Sequence, residues 1–112
     1  ERLPVTIIGF SQGGYLAPLA GKEIPETRLV IGIACEFRTT LIHQKLPFPL
    51  AAIHGDADEV VSLASSKRES ENLKPLGISV EYRTVSGAGH EITPEMANLV
   101  RELLETYGKR SL

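Results

Sequence analysis

Hydrophobic residues fall into short blocks whose spacing switches between continuous or every-second-residue runs and a helical period. Pro4 to Phe10 is a continuous apolar run rich in β-branched residues, the pattern of a strand buried on both faces of a parallel sheet. Gln12 to about Gly21 follows as a short helix with Pro18 inside it. Proline removes an N–H that would bond one turn back, so a kink or an early end is expected there. Arg28 to Ala34 predicts a second buried strand, and Cys35 to Pro49, with little helical period, an irregular linker. Pro47 and Pro49 bracket the start of a third strand, Leu50 to His54, which stops at Gly55. Ser62 to about Leu76 predicts an exposed helix rich in Ser, Lys and Glu, closed by Pro75 and Gly77. Val80 to Val85 alternates apolar and polar positions as an edge strand does, and Ser86 to Gly89 is a turn. Thr93 then fits an N-cap with Pro94 at the first helical position, and Ala97, Val100, Leu103, Leu104 and Tyr107 make one apolar stripe before Gly108.

Strands alternating with helices imply an α/β fold: a parallel sheet of about four strands with flanking helices, joined by right-handed crossovers. No repeat, low-complexity segment or internal boundary divides residues 1–112, so one domain is expected. Composition adds exclusions. The chain is 42% hydrophobic and 23% charged with a formal net charge of −2, the profile of an ordinary globular domain. That balance offers no basic face for nucleic acid and no polybasic segment for a membrane surface. No apolar run approaches the roughly 20 residues of a membrane-spanning helix, so no membrane insertion is expected. The single cysteine, Cys35, allows no internal disulfide and suits a reducing cytosol, hence a cytoplasmic expectation. At the end of an apolar run, Cys35 reads as a packed small hydrophobe rather than a nucleophile.

The chemistry gathers where strands end. Gly9-Phe10-Ser11-Gln12-Gly13 stands between a strand and a helix, and Gly-x-Ser-x-Gly in that context is the pattern of a nucleophile elbow. The turn is so sharp that the serine occupies strained backbone with Oγ above the sheet, while flanking glycines let neighbouring chain approach. The N–H of Gln12, at the start of the helix, is then poised to stabilise an oxyanion. Two further loops follow strand ends, His54-Gly55-Asp56-Ala57-Asp58-Glu59-Val60-Val61 and Gly87-Ala88-Gly89-His90. Nucleophile, acid and histidine thus occur in the order of a hydrolase triad, each at the carboxyl end of a strand, where parallel sheets carry their sites. Among the histidines, His43 lies in the linker and His54 closes an apolar strand, which suits surface and packing roles. His90 follows a glycine-rich turn. Asp56, Asp58 and Glu59 share one loop, and strand geometry alone does not choose among them. Glu91 and Glu95 follow the histidine, Glu95 favouring the helix N-terminus electrostatically. No cluster with zinc-ligand spacing appears, and no cofactor is expected.

GFSQGG, HGDADEVV and GAGHEI resemble three blocks of the phospholipase/carboxylesterase family of α/β hydrolases, which includes acyl-protein thioesterases. The resemblance runs from Val5 over nearly the whole chain. In that family the acid closes the His-Gly-x-x-Asp block, which selects Asp58 and leaves Asp56 as a turn residue. Prolyl-oligopeptidase relatives share similar blocks but separate serine and acid by more chain. This sequence departs from the family pattern at Glu59 and Ser62, where prolines are usual, and at Pro18. None is a triad position. The resemblance implies a serine hydrolase of carboxylic esters or thioesters acting on a small-molecule ester or acyl substrate. Ser11 is then nucleophile, His90 acid/base, Asp58 its orienting carboxylate, and Gln12 the backbone oxyanion donor.

It also implies a partial domain, the carboxyl-terminal half of the fold, with about a hundred residues of a full member ahead of Glu1. Those residues would carry the first strands and the second oxyanion N–H, whose absence costs roughly 2.7 to 4 kcal/mol of transition-state stabilisation. The strand at Val5 becomes an exposed apolar edge, suited to self-association or to a partner supplying the missing half. Same-handed crossovers leave Thr93 to Tyr107 to cover one face of the sheet largely alone. The alternative expectation is a non-catalytic half-domain that associates through this open edge.

Overall fold

The computed structural model of the chain describes residues 3–108. Strands β1 (Val5–Phe10), β2 (Thr27–Ile33), β3 (Leu50–Gly55) and β4 (Val80–Val85) form one parallel sheet in the order β1-β2-β3-β4. Helices α1 (Gln12–Lys22), α2 (Leu63–Glu71) and α3 (Pro94–Gly108) connect or follow them. The register aligns Ile8 with Ile31, Ile31 with Ala51 and Ala51 with Glu81, so alternate rows face opposite layers. β2 and β3 are the inner strands, and β3 is buried along its whole length. Their uninterrupted apolar runs meet the demand of a sheet covered on both sides.

Ala17, Val30, Phe37, Ile42, Phe48, Leu50 and Leu73 belong to one core layer, beneath α1, the linker and the end of α2. Leu29, Ile31, Ile53, Met96, Leu103 and Tyr107 belong to the other, beneath α3. Burying each large aliphatic side chain contributes about 1.5–3 kcal/mol. As the crossover rule predicts, α3 is the only helix among the described residues on the second face, and it lies over β2, β3 and β4. The β1 side of that face is left open, with Ile8 48% and Phe10 37% exposed.

Four local features differ from the sequence pattern. α1 continues through Pro18 to Lys22 rather than ending early. Its buried side is Gly14, Ala17, Pro18 and Gly21, a stripe of small residues at helical spacing. The helix therefore lies close against the sheet, and full burial of the proline ring offsets the lost hydrogen bond. The single helix expected over 62–76 is divided: α2 ends at Glu71, and a 3₁₀ turn spans Lys74–Leu76. Pro75 cannot donate to a continuing helix, and Gly77 (φ 79°) accepts the left-handed closing position. α2 turns serines inward: Ser66 donates to the Cys35 carbonyl at 2.8 Å, and Tyr82 donates to Ser66 at 2.6 Å. In α3, capped by Thr93 Oγ1 on the Met96 N–H, the buried stripe is Met96, Leu103 and Tyr107 with Leu99 and Val100 beside it. Ala97 and Leu104 face outward. The linker has no regular element yet buries Phe37, Ile42, Leu46 and Phe48.

Candidate active site

Ser11 stands between β1 and α1 with φ 55° and ψ −120°, left-handed backbone that a residue with a Cβ adopts at a cost of about 1–3 kcal/mol. The surrounding structure holds it there. The Ser11 N–H donates to the Ile33 carbonyl at 2.8 Å, and its own carbonyl accepts the first helical bond, from Tyr15, at 3.1 Å. Gly9 makes the turn feasible, because a Cβ there would sit 2.4 Å from the Gly13 carbonyl carbon. Gly13 itself faces open space, and the second close approach is made by Gly14, against Cys35. Serine commonly caps helices through its hydroxyl, but this one makes no cap bond. Its Oγ lies 3.0 Å from His90 Nε2. The Gln12 N–H is among the first donors of α1, which no intrahelical carbonyl can reach.

Asp58 comes from the loop after β3. Its Oδ1 accepts the Val60 and Val61 N–H groups, each at 2.8 Å, and its Oδ2 lies 2.9 Å from His90 Nδ1. Burial by itself pushes the Asp58 carboxyl upward, but the Val61 N–H, His90 and the Val60 N–H together hold it below its ordinary value. An ionised carboxylate only accepts, so the proton in the 2.9 Å contact belongs to His90 Nδ1, leaving Nε2 to accept from the Ser11 hydroxyl.

The loops bearing Asp58 and His90 are clasped to each other. Asp56 N–H donates to the Val85 carbonyl at 3.1 Å, Ala57 N–H to the Ala88 carbonyl at 2.9 Å, and Gly87 N–H to Asp56 Oδ1 at 2.8 Å. Gly55 permits the crossing, since a Cβ would lie 2.2 Å from the Ala88 oxygen. Asp56 is thus a turn residue that ties down the histidine loop. Glu59 is exposed, Glu91 accepts the Gly89 N–H at 3.1 Å, Glu95 sits in the first turn of α3, and His43 is exposed on the linker.

Two further side chains and a cleft complete the surroundings of the site. The Phe10 ring lies 5.1 Å from that of His90, tilted by 43°. His54, fully buried, places Nε2 2.7 Å from the Val61 carbonyl oxygen. An open cleft of about 630 Å³ beside Ser11 is lined by Phe10, Tyr15, Glu36, Arg38 and Val61 among others, with the Arg38 guanidinium 5.2 Å above the Tyr15 ring. Cys35 also borders this cleft, but burial foremost, and Glu36 after it, push its thiol up to about 12, so it stays a protonated packing group.

The sequence matches the phospholipase/carboxylesterase family over residues 2–107. The chain belongs to the phospholipase/carboxylesterase family. It is 31% identical over 115 aligned residues to acyl-protein thioesterase 1 homolog 1 of Dictyostelium discoideum, covering 93% of this chain and 50% of that protein. Among solved structures, esterase PE8 is 26% identical with a TM-score of 0.77, over 91% of this chain and 49% of that one. TT1662 from Thermus thermophilus is 25% identical with a TM-score of 0.79, over 97% and 56%. The chain thus spans about half the length of the family members it matches. Its four-stranded parallel sheet with flanking helices is the α/β-hydrolase architecture of these neighbours. Among the described residues no helix is long and apolar enough to cross a membrane.

Proposed function

We propose that this phospholipase/carboxylesterase family chain carries the nucleophile, base and acid of a serine hydrolase acting on carboxylic esters or thioesters. The observation that carries the reading is the pair of contacts on one imidazole, 3.0 Å to Ser11 Oγ and 2.9 Å to Asp58 Oδ2. Ser11 Oγ attacks the acyl carbon as its proton passes to His90 Nε2, and Asp58 holds the ring and stabilises the imidazolium. The oxygen of the tetrahedral intermediate takes a hydrogen bond from the Gln12 N–H at the positive end of α1. Collapse expels the alcohol or thiol, which receives the proton from His90. Water, deprotonated by His90, then releases the acid from Ser11. The cleft beside Ser11 offers Phe10, Tyr15 and Val61 to an acyl or leaving group.

Mixing the chain with p-nitrophenyl butyrate tests the reading. A burst of nitrophenol equal to the enzyme concentration, followed by slower turnover, is expected, and Ser11→Ala should lower the rate by a factor on the order of 10³ or more. Equal turnover by the variant would remove Ser11 from the reaction.

The exposed side chains on β1 favour a second reading, a half-domain that works by adding a further strand beside Val5–Phe10. It predicts a stable association that Ser11→Ala leaves intact, in a chain inert to activated esters.

A further inference from the structure

His54 is a titratable side chain in the core that the proposed chemistry does not use. It is the next-to-last residue of β3 and shares the sheet face of Leu50 and Ala52, beneath the loop that carries Asp58. It is 1% exposed, and its Nε2 lies 2.7 Å from the Val61 carbonyl oxygen. A carbonyl only accepts, so the neutral ring carries its proton on Nε2. That nitrogen is also 3.5 Å from Asp58 Oδ2, the oxygen facing His90. Val61 is therefore held at both ends: its N–H by Asp58 Oδ1 at 2.8 Å, and its carbonyl by His54. The other acidic groups nearby are turned elsewhere, Asp56 to the Gly87 N–H, Glu91 to the Gly89 N–H, and Glu59 to solvent.

We propose that His54 is a positioning residue for the Asp58–His90 pair, anchoring Val61 so that Oδ2, rather than Oδ1, meets the imidazole. This rests on the reading of Ser11, Asp58 and His90 as a hydrolase site, but it concerns the two side chains without substrate. With Val61 released, the turn over Asp58 relaxes, the carboxylate swings from His90, and the imidazole loses what holds its proton on Nδ1.

Long-range ¹H–¹⁵N correlation spectra of the imidazoles, recorded on the substrate-free chain, test the inference. In the wild type His54 is expected as the Nε2–H tautomer and His90 as the Nδ1–H tautomer. A His54 proton on Nδ1 alone would overturn the proposal before any variant is made. His54→Phe keeps the bulk and removes the donor, and should move His90 toward the Nε2–H form. His54→Gln, whose amide nitrogen lies the same number of bonds from the backbone, should restore Nδ1–H. In ester hydrolysis the Phe variant should lose roughly ten- to a hundredfold in kcat with KM little changed, and the Gln variant should recover most of it. A His90 tautomer unchanged in a folded His54→Phe chain would reduce His54 to packing. Tautomers that respond as expected in a chain inert to every ester would uphold the positioning role and refute the hydrolase reading instead.

Discussion

Asp58 accepts hydrogen bonds on both oxygens, two backbone N–H groups on Oδ1 and the imidazole on Oδ2, all at 2.8–2.9 Å. Its carboxyl is lowered from the ordinary 3.8 in the folded chain, so folding favours the charged form. The resulting stabilisation is fully present above the ordinary value and disappears as pH falls through the lower, folded one. Asp58→Asn should therefore be less stable than the wild type at pH 7, with the gap closing below about pH 4 in urea titrations. A gap that stayed constant down to pH 2 would show that the charge contributes nothing. At neutral pH the same substitution should lower kcat by up to about 10⁴, since an amide can present its N–H to the ring and fix the wrong tautomer. Ser11, Asp58 and His90 were legible in the sequence because each stands just past a strand, and the His-Gly-x-x-Asp resemblance separated Asp58 from Asp56 and Glu59. His54 and Phe10 were not legible as neighbours of the site: the ring contact of Phe10 depends on a loop eighty residues on, and that of His54 on how the loop after β3 folds back over its own strand.

Among the elements, strands were more legible than helices. Continuous apolar runs located β1, β2 and β3, and apolar-polar alternation located β4, each to within a residue at either end, since a buried parallel strand leaves little room for polar positions and an edge strand has one wetter face. The helices obey packing that hydropathy misses: α1 faces the sheet with glycine, alanine and proline, and α2 with serine. In α3 the apolar positions were visible, but Leu103 and Leu104 are adjacent and only one can point inward. Leu103 is fully buried, whereas Leu104 is 38% exposed. Leu103→Ala should cost about 2–5 kcal/mol in chemical denaturation, and Leu104→Gln less than about 0.5 kcal/mol. Comparable losses would move the buried stripe. The crossing of the β3 and β4 loops makes a sharper demand, because a methyl group at Gly55 would lie 2.2 Å from the Ala88 oxygen. Gly55→Ala should destabilise the chain by about 1–3 kcal/mol and, by displacing the loop of His90, lower ester turnover further than the stability loss explains. Full activity in that variant would mean the two loops can separate without disturbing the site.

For the molecule as a whole, one arrangement accounts for where the chemistry lies. Parallel strands in sequential order bring the three loops after β1, β3 and β4 to the same edge of the sheet. The β2 loop adds to that edge: Ala34, at φ 56°, turns the chain so that Cys35, Glu36 and Arg38 wall the cleft beside Ser11. Nothing in the hydropathy of the linker foretold this wall, whose residues are neither periodic nor part of a motif. The central claim is that this assembly makes Ser11 a nucleophile. The most direct test is the intact mass of the folded chain after exposure to a fluorophosphonate, which phosphonylates only an activated serine, beside Ser11→Ala. One adduct per chain, absent from the variant, is the predicted result. An adduct that persists in Ser11→Ala, or none on the wild-type chain, would contradict it.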